Sequence, residues 1–423
     1  MLDIRFVREH SDLIRKDLER RNNPEKFQRV EKVLDLDRKY RKHLQEAEKL
    51  RHRRNQVTQE INQLRKQGKD IKAKVKEAKE IPGRIQAVEE KQLRLKADIR
   101  SLLMRIPNIL HESVPVGKTD EDNVVLKEVG KRPKFDFKPV SHVDLLESLN
   151  IGDTERAAKT SGARFYFLKN ELVMLDYAIM KFALDILYNK GYTLIEPPYM
   201  IKREPYEGVT DLADFEDVLY KIEGEDLYLI ATSEHPIGAM HIGETLETLP
   251  LKYAGISTCF RKEAGSHGKD TKGIFRVHQF NKIEQFIFCR PEDSWKFHEE
   301  LLANAEDIFK RLELPYRVVN ICTADIGSIA AKKYDIEVWM PVQGQYREVV
   351  SCSNCTAYQA ARLNIKYNSE GGKEYVHTLN STAIATSRAI VAIMENFQAG
   401  DGSIIIPKAL VPYMNGIRKI KNG

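Results

Sequence analysis

This chain of 423 residues has no apolar run near the roughly twenty residues needed to cross a bilayer, so no membrane partner is expected. Its opening, MLDIRFVREH, is charged too early for a secretory signal, and none is expected. Five cysteines are an odd and sparse set. They argue against a disulfide framework and for a reducing compartment, the cytoplasm. Cys352-Ser-Asn-Cys355 has zinc-knuckle spacing, but no second Cys or His pair lies near it, so buried or neutral thiols are expected there rather than a structural metal. No G-x-x-x-x-G-K-S/T run occurs, so a P-loop nucleotide site is not supported. Between residues 27 and 106, Pro and Gly occur only as Gly68, Pro82 and Gly83, which argues against a turn-rich domain there.

That stretch holds a helical pattern instead. Apolar residues recur from Val33 through Tyr40, Leu44, Ala47, Leu50, Val57 and Ile61 to Leu64. After Gly68-Lys-Asp70 they resume at Ile71 and continue through Val75, Ala78, Ile85, Val88, Leu95, Ile99 and Leu102 to Ile106. The second set steps by three, four or seven, a heptad seam; the first slips near Ala47–Leu50. Two such helices joined by a short turn make an antiparallel hairpin, an arm reaching about 50–60 Å at 1.5 Å per residue. A kink is expected at Pro82-Gly83. From Arg38 to Arg100 the arm carries 20 Lys/Arg against 9 Asp/Glu, in a chain whose whole net charge is +6. The rest of the chain is therefore net acidic. Such a bias suits a rigid reach toward a polyanion, with a dimerisation coiled coil as the other reading.

Residues 107–140, with Pro107, Pro115, Gly117, Gly130, Pro133 and Pro139, read as a linker. Leu172–Lys190 is apolar at helical spacing through Leu175, Ile179, Phe182 and Ile186, and Gly191 caps it. GYTLIEPPYM then reads as a strand broken by Pro197-Pro198. Strand-like segments follow: DLYLIATS, LKYAGISTCF, FRVHQFNKIEQFIFC, YRVVNIC, YDIEVWMP and REVVSCSNC, with a helix over 292–312 among them. Long polar-faced strands with few alternating helices indicate an α+β fold around a mainly antiparallel sheet.

The most telling segment is CFRKEAGSHGKDTKGIFRVHQFNKIEQF. It reads as two polar strands joined by a Gly- and Lys-rich loop. Two-residue spacing puts Arg261 with Glu263, and Phe280 with Glu284, on one sheet face. A guanidinium, two carboxylates and a ring make a poor core, but suit a nucleotide and an amino acid. This segment resembles motif 2 of the class II aminoacyl-tRNA synthetases, and its wording FRKEAGSHGKDTKG…HQFNKIE resembles the seryl-tRNA synthetases. The helix and strand ending at Pro197-Pro198 resemble motif 1. Asn380-Ser-Thr-Ala-Ile-Ala-Thr-Ser-Arg388, leading into AIVAIMENFQ, resembles motif 3, with Ser381, Ala383 and Ser387 where the motif usually has glycines. His241-Ile-Gly-Glu244 approaches the class I HIGH signature, but lacks its second His and any following KMSKS, so chance accounts for it.

The resemblance implies a class II synthetase-type antiparallel sheet flanked by helices, preceded by a helical coiled-coil arm. The expected divisions are an arm at 1–108, a linker at 109–140 and a catalytic domain at 141–423. It implies activation of L-serine by ATP, with Mg²⁺, and transfer to the 3′ end of serine tRNA; selenocysteine tRNA stays open as a second substrate. It also implies a homodimer. As catalytic groups it implies Arg261, between α-phosphate and serine carboxylate, and Arg388 on the γ-phosphate. For serine it implies Thr232, Ser233, Glu234, Glu284 at the ammonium, and Thr382 at the hydroxyl. For ATP it adds Lys262, Glu263, Val277, Phe280 on adenine, and Glu348, Val349, Val350 and Ser351. Glu348 and Ser351 would ligate the Mg²⁺. Two rivals remain: a paralogue that charges a carrier protein, and a coiled-coil nucleic-acid binder with an inactive body.

Overall fold

The computed structural model describes residues 1–263 and 272–422; the expected loop at 264–271 lies outside them. The chain forms two compact units, Met1–Pro107 and Asn108–Gly423.

In the first unit two short helices, α1 (Ile4–Glu9) and α2 (Ser11–Arg20), precede the long α3 (Phe27–Lys66) and α4 (Lys72–Leu103). Ala47, Leu50 and Val57 of α3 interlock with Ile81, Ile85 and Val88 of α4. Ala47 and Leu50 are both buried, so the seam passes through the slip seen in the sequence. The pairing is antiparallel: Arg53 meets Glu77 at 2.7 Å, Lys74 meets Glu60 at 2.6 Å, and Arg51 meets Glu89 at 2.7 Å. Pro82 does not end α4, which runs on unbroken past it. At 40 residues, α3 is about 60 Å long.

The second unit is built on eight strands: β1 (Val124–Val129), β2 (Thr193–Ile195), β3 (Leu251–Phe260), β4 (Gln279–Cys289), β5 (Tyr316–Asn320), β6 (Lys332–Met340), β7 (Gln345–Thr356) and β8 (His377–Ala385). Their order is β1-β5-β6-β7-β8-β4-β3-β2. Every pairing is antiparallel except β2 with β3. The fold is thus the expected α+β type. The stretch read as a linker also supplies β1, the edge strand.

Odd-numbered residues of β4, namely Ile283, Ile287 and Cys289, join the main core. That core also takes in helices α5 (Glu171–Asn189), α7 (Ser294–Arg311) and α9 (Thr386–Asn396). The opposite sheet face carries Phe280, Lys282 and Glu284, then Phe286 and Phe288 in a second cluster. Against that face pack α6 (Glu234–Ala239) and α8 (Tyr358–Leu363). Among the described residues, no helix is long and apolar enough to cross a membrane.

Candidate active site

A cavity of about 490 Å³ opens on this second face. Its floor comes from β4, β7 and β8, and its walls from the start of α6, the segment after β3, the start of α9, residues between 209 and 215, and the segment 326–330 with Lys333 of β6.

Three local features aim side chains into it. Gly255 of β3 lies opposite Glu284, and a Cβ there would come within 2.6 Å of Ser233 Oγ. The bare glycine lets the Thr232-Ser-Glu234 turn sit down on the sheet, and Ser233 Oγ donates to Gly255 O at 3.3 Å. The second feature is a bulge at Val349. Val350 pairs with Ile336, and Glu348 pairs with the very next residue, Glu337. Three residues apart on a regular strand, Glu348 and Ser351 would face opposite ways; the extra residue brings both to the cavity. A third feature, a bulge at Ala383, does the same for Thr382 and Ala385.

At one end of the cavity are two carboxylates. Glu284 Oε2 accepts from Thr382 Oγ1 at 3.2 Å and meets Lys282 Nζ at 2.7 Å. Glu234 Oε1 accepts from Gln359 Nε2 and Asn380 Nδ2, both at 3.0 Å. Enclosure in the wall and the facing Glu284 push the Glu234 carboxyl up to about 7, against the opposing pull of Lys282, Gln359 and Arg261. Arg261 lies over Phe280, 5.3 Å from the ring centre, and its Nε donates to Ala231 O at 3.3 Å. At the other end Arg388 donates to Glu348 O at 2.9 Å and lies 3.4 Å from its carboxylate.

Of the residues singled out in the sequence, Thr232, Glu234, Arg261, Phe280, Glu284, Glu348, Val349, Ser351, Thr382 and Arg388 line the cavity together. Others do not. Ser233 is fully buried on Gly255, Val277 and Val350 are part of the main core, and Lys262 lies over the Tyr220 ring. Glu263 does not share a strand face with Arg261. β3 ends at Phe260, Glu263 has φ +50°, and its carboxylate pairs with Arg276 at 2.9 Å. Thr232, one residue before the helix N-cap Ser233, also accepts at its Oγ1 from Glu234 N at 3.4 Å. Cys352 and Cys355 face opposite sides of the sheet, one in the core and one in the cavity wall, so they do not share an ion. Burial raises both thiols and keeps them neutral. Lys282 is one of several cavity-lining residues that sequence reasoning missed, with Asp211, His235 and Lys333 among the others. The only signal for Lys282 was the two-residue step to Glu284.

Residues 218–397 match the family model of the tRNA synthetase class II core domain (G, H, P, S and T), and residues 1–110 match the seryl-tRNA synthetase N-terminal domain. A serine–tRNA ligase of Methanocella arvoryzae is 58% identical, with 99% of each chain covered. The chain belongs to the seryl-tRNA synthetase family. A serine–tRNA ligase of Thermococcus sibiricus is 53% identical over 99% of this chain and 97% of its own. The crystal structure of seryl-tRNA synthetase from Pyrococcus horikoshii complexed with ATP superposes with a TM-score of 0.94 at 52% identity, over the full length of both chains. A cytoplasmic enzyme from Naegleria fowleri in complex with AMP gives a TM-score of 0.89 at 39% identity.

Proposed function

We propose that this chain is a serine–tRNA ligase: it activates L-serine with ATP as seryl adenylate, then transfers serine to the 3′ end of serine tRNA. One observation carries the reading. The cavity sets carboxylates with a buried hydroxyl at one end, and two guanidiniums along the rest of the same face. The carboxylate of serine is already a nucleophile, so the first step needs positioning and charge neutralisation more than proton transfer. It attacks the α-phosphorus, and pyrophosphate leaves with the electrons of the broken P–O bond. Arg261 holds the serine carboxylate against the α-phosphate, Phe280 stacks on adenine, and Arg388 takes the γ-phosphate. Glu284 and Glu234 hold the ammonium, Thr232 assists, and Thr382 meets the serine hydroxyl. Val349 contributes main chain, while Ser233, Lys262, Glu263, Val277 and Val350 stand behind or beside the cavity and support the residues that line it. In the second step a hydroxyl of the terminal ribose attacks the serine carbonyl, and AMP leaves.

The donor set fits a nucleotide-bound Mg²⁺. Glu348 and Ser351 give one carboxylate and one hydroxyl on one face, and among the described residues no cluster of three or more His, Cys, Asp or Glu is arranged to hold a metal. Such an ion takes most of its ligands from phosphate and water. It would neutralise charge on the phosphates.

The basic arm is the tRNA-binding module of the proposal, gripping backbone and shape rather than base edges. Homodimerisation is proposed through α5 and the edge strand β2, where Tyr177, Tyr188, Val173 and Leu194 form an exposed apolar stripe. The five unpaired cysteines support a cytoplasmic setting. Serine-dependent exchange of labelled pyrophosphate into ATP tests the activation step. Exchange that favours another amino acid over serine would overturn it.

A further inference from the structure

Lys282 has no assigned part in this scheme, yet it is placed as a working residue. Its side chain is 6% exposed and that of Glu284 only 2%. A buried ion pair is weak evidence of stabilisation, because desolvating both charges offsets their attraction. This pair also lines the cavity floor rather than the core. Its geometry divides the work of the two Glu284 oxygens. Oε2 takes both Lys282 and Thr382, while Oε1 takes no hydrogen bond from a described residue.

The charges around Glu284 come from every side. Lys282 lies on its own strand, Thr382 across on β8, Glu234 on α6 and Arg261 after β3, while Gly255 directly opposite adds nothing. His235, also on α6, is held neutral by burial first and then by Lys282 and Arg261. The two carboxylates are thus balanced by two cations. A zwitterionic amino acid enters such a site without changing its net charge.

We infer that Lys282 is a positioning residue of the amino-acid site: it locks one oxygen of Glu284 and balances the Glu234–Glu284 pair, leaving the other oxygen unclaimed by the described residues and presented to the substrate ammonium. This rests on reading the cavity as the serine site. Without Lys282, the two facing carboxylates keep Arg261 as the other cation acting on Glu234 among the described residues, and like charges in one site raise a carboxyl pKa. Glu234 already stands at about 7. A further rise means that a carboxyl protonates at higher pH and the ammonium loses its partner there.

The test is pyrophosphate exchange by the full chain between pH 6 and 8.5. Lys282→Met raises KM for serine about tenfold or more near neutral pH, the scale for losing a charge-assisted hydrogen bond. KM for ATP stays within about twofold, as expected for a change confined to the ammonium end. The acid limb of log(kcat/KM) for serine moves up by about one pH unit or more. Lys282→Arg keeps the wild-type limb. Lys282→Gln keeps a donor without charge and must show the same shift as Lys282→Met, which covers a Met variant that fails to fold. A wild-type pH limb in the Gln and Met variants overturns the inference while leaving the serine site standing; so does a loss shared equally by serine and ATP. Absence of serine-dependent exchange in the wild type overturns both.

Discussion

Thr382→Val removes one hydroxyl from the cavity and changes little else, since the two side chains are close to isosteric. Thr382 is 7% exposed, lies directly across from Glu284 and donates to its Oε2 at 3.2 Å. Lys282 still holds that oxygen in the variant, so the carboxylate keeps its orientation. What is lost is the partner of the serine hydroxyl. A buried hydrogen bond left unmade costs about 1–3 kcal/mol, or about 5- to 150-fold in kcat/KM for serine. Alanine has no hydroxyl to leave unpaired, so its weak activation falls much less, and discrimination between the two narrows. Thr382→Ser restores the hydroxyl and most of the serine activity. The assay is pyrophosphate exchange with both amino acids. Equal losses for serine and alanine would refute the reasoning and make Thr382 a purely structural residue.

Removing residues 1–107, one of the two compact units, leaves serine activation largely intact and abolishes charging of tRNA; equal loss of both activities contradicts the division of labour. The affinity for tRNA falls steeply between low and moderate salt while those for serine and ATP change little, as measured by filter binding and exchange kinetics. For the wild type, kcat/KM for serine declines as pH falls through about 7, where Glu234 takes up a proton, and Glu234→Gln lowers activity while removing that inflection. His298 is buried and His377 half-buried, and both are held neutral with pKa values near 4, so the stability they contribute is present above their unfolded value of about 6.5. That stability is lost as pH falls toward 4, which thermal melts across this window record as a falling Tm.

The arm was legible because apolar seams at helical spacing run through a stretch whose breakers are only Gly68, Pro82 and Gly83, which leaves two helices with little else to decide. Strand β3 was also readable, as LKYAGISTCF spans the observed Leu251–Phe260. β8 was not read as a strand. Eight of its nine residues, Thr378–Ala385, are buried, and its Ser, Thr and Asn face polar partners inside the fold, so no alternation of polar and apolar marks it. The site residues were recognised by type and wording; spacing gave the shared face of Phe280 and Glu284, but not that of Glu348 with Ser351. Glu348 with Ser351 depends on the bulge at Val349, which only the pairing with β6 reveals. Glu263 failed for the opposite reason, since two-residue spacing assumed a strand that had already ended. Lys282 was passed over because a lysine on a strand is ordinarily solvated; only burial against Glu284 gives it meaning.

The central claim is tested most directly by charging. The purified chain, ATP, Mg²⁺ and unfractionated tRNA are incubated with each labelled amino acid in turn, and acid-precipitable label is measured. Serine alone should be esterified, to a plateau matching the serine-accepting tRNA present. Esterification of another amino acid, or activation of serine with no transfer to tRNA, would contradict it.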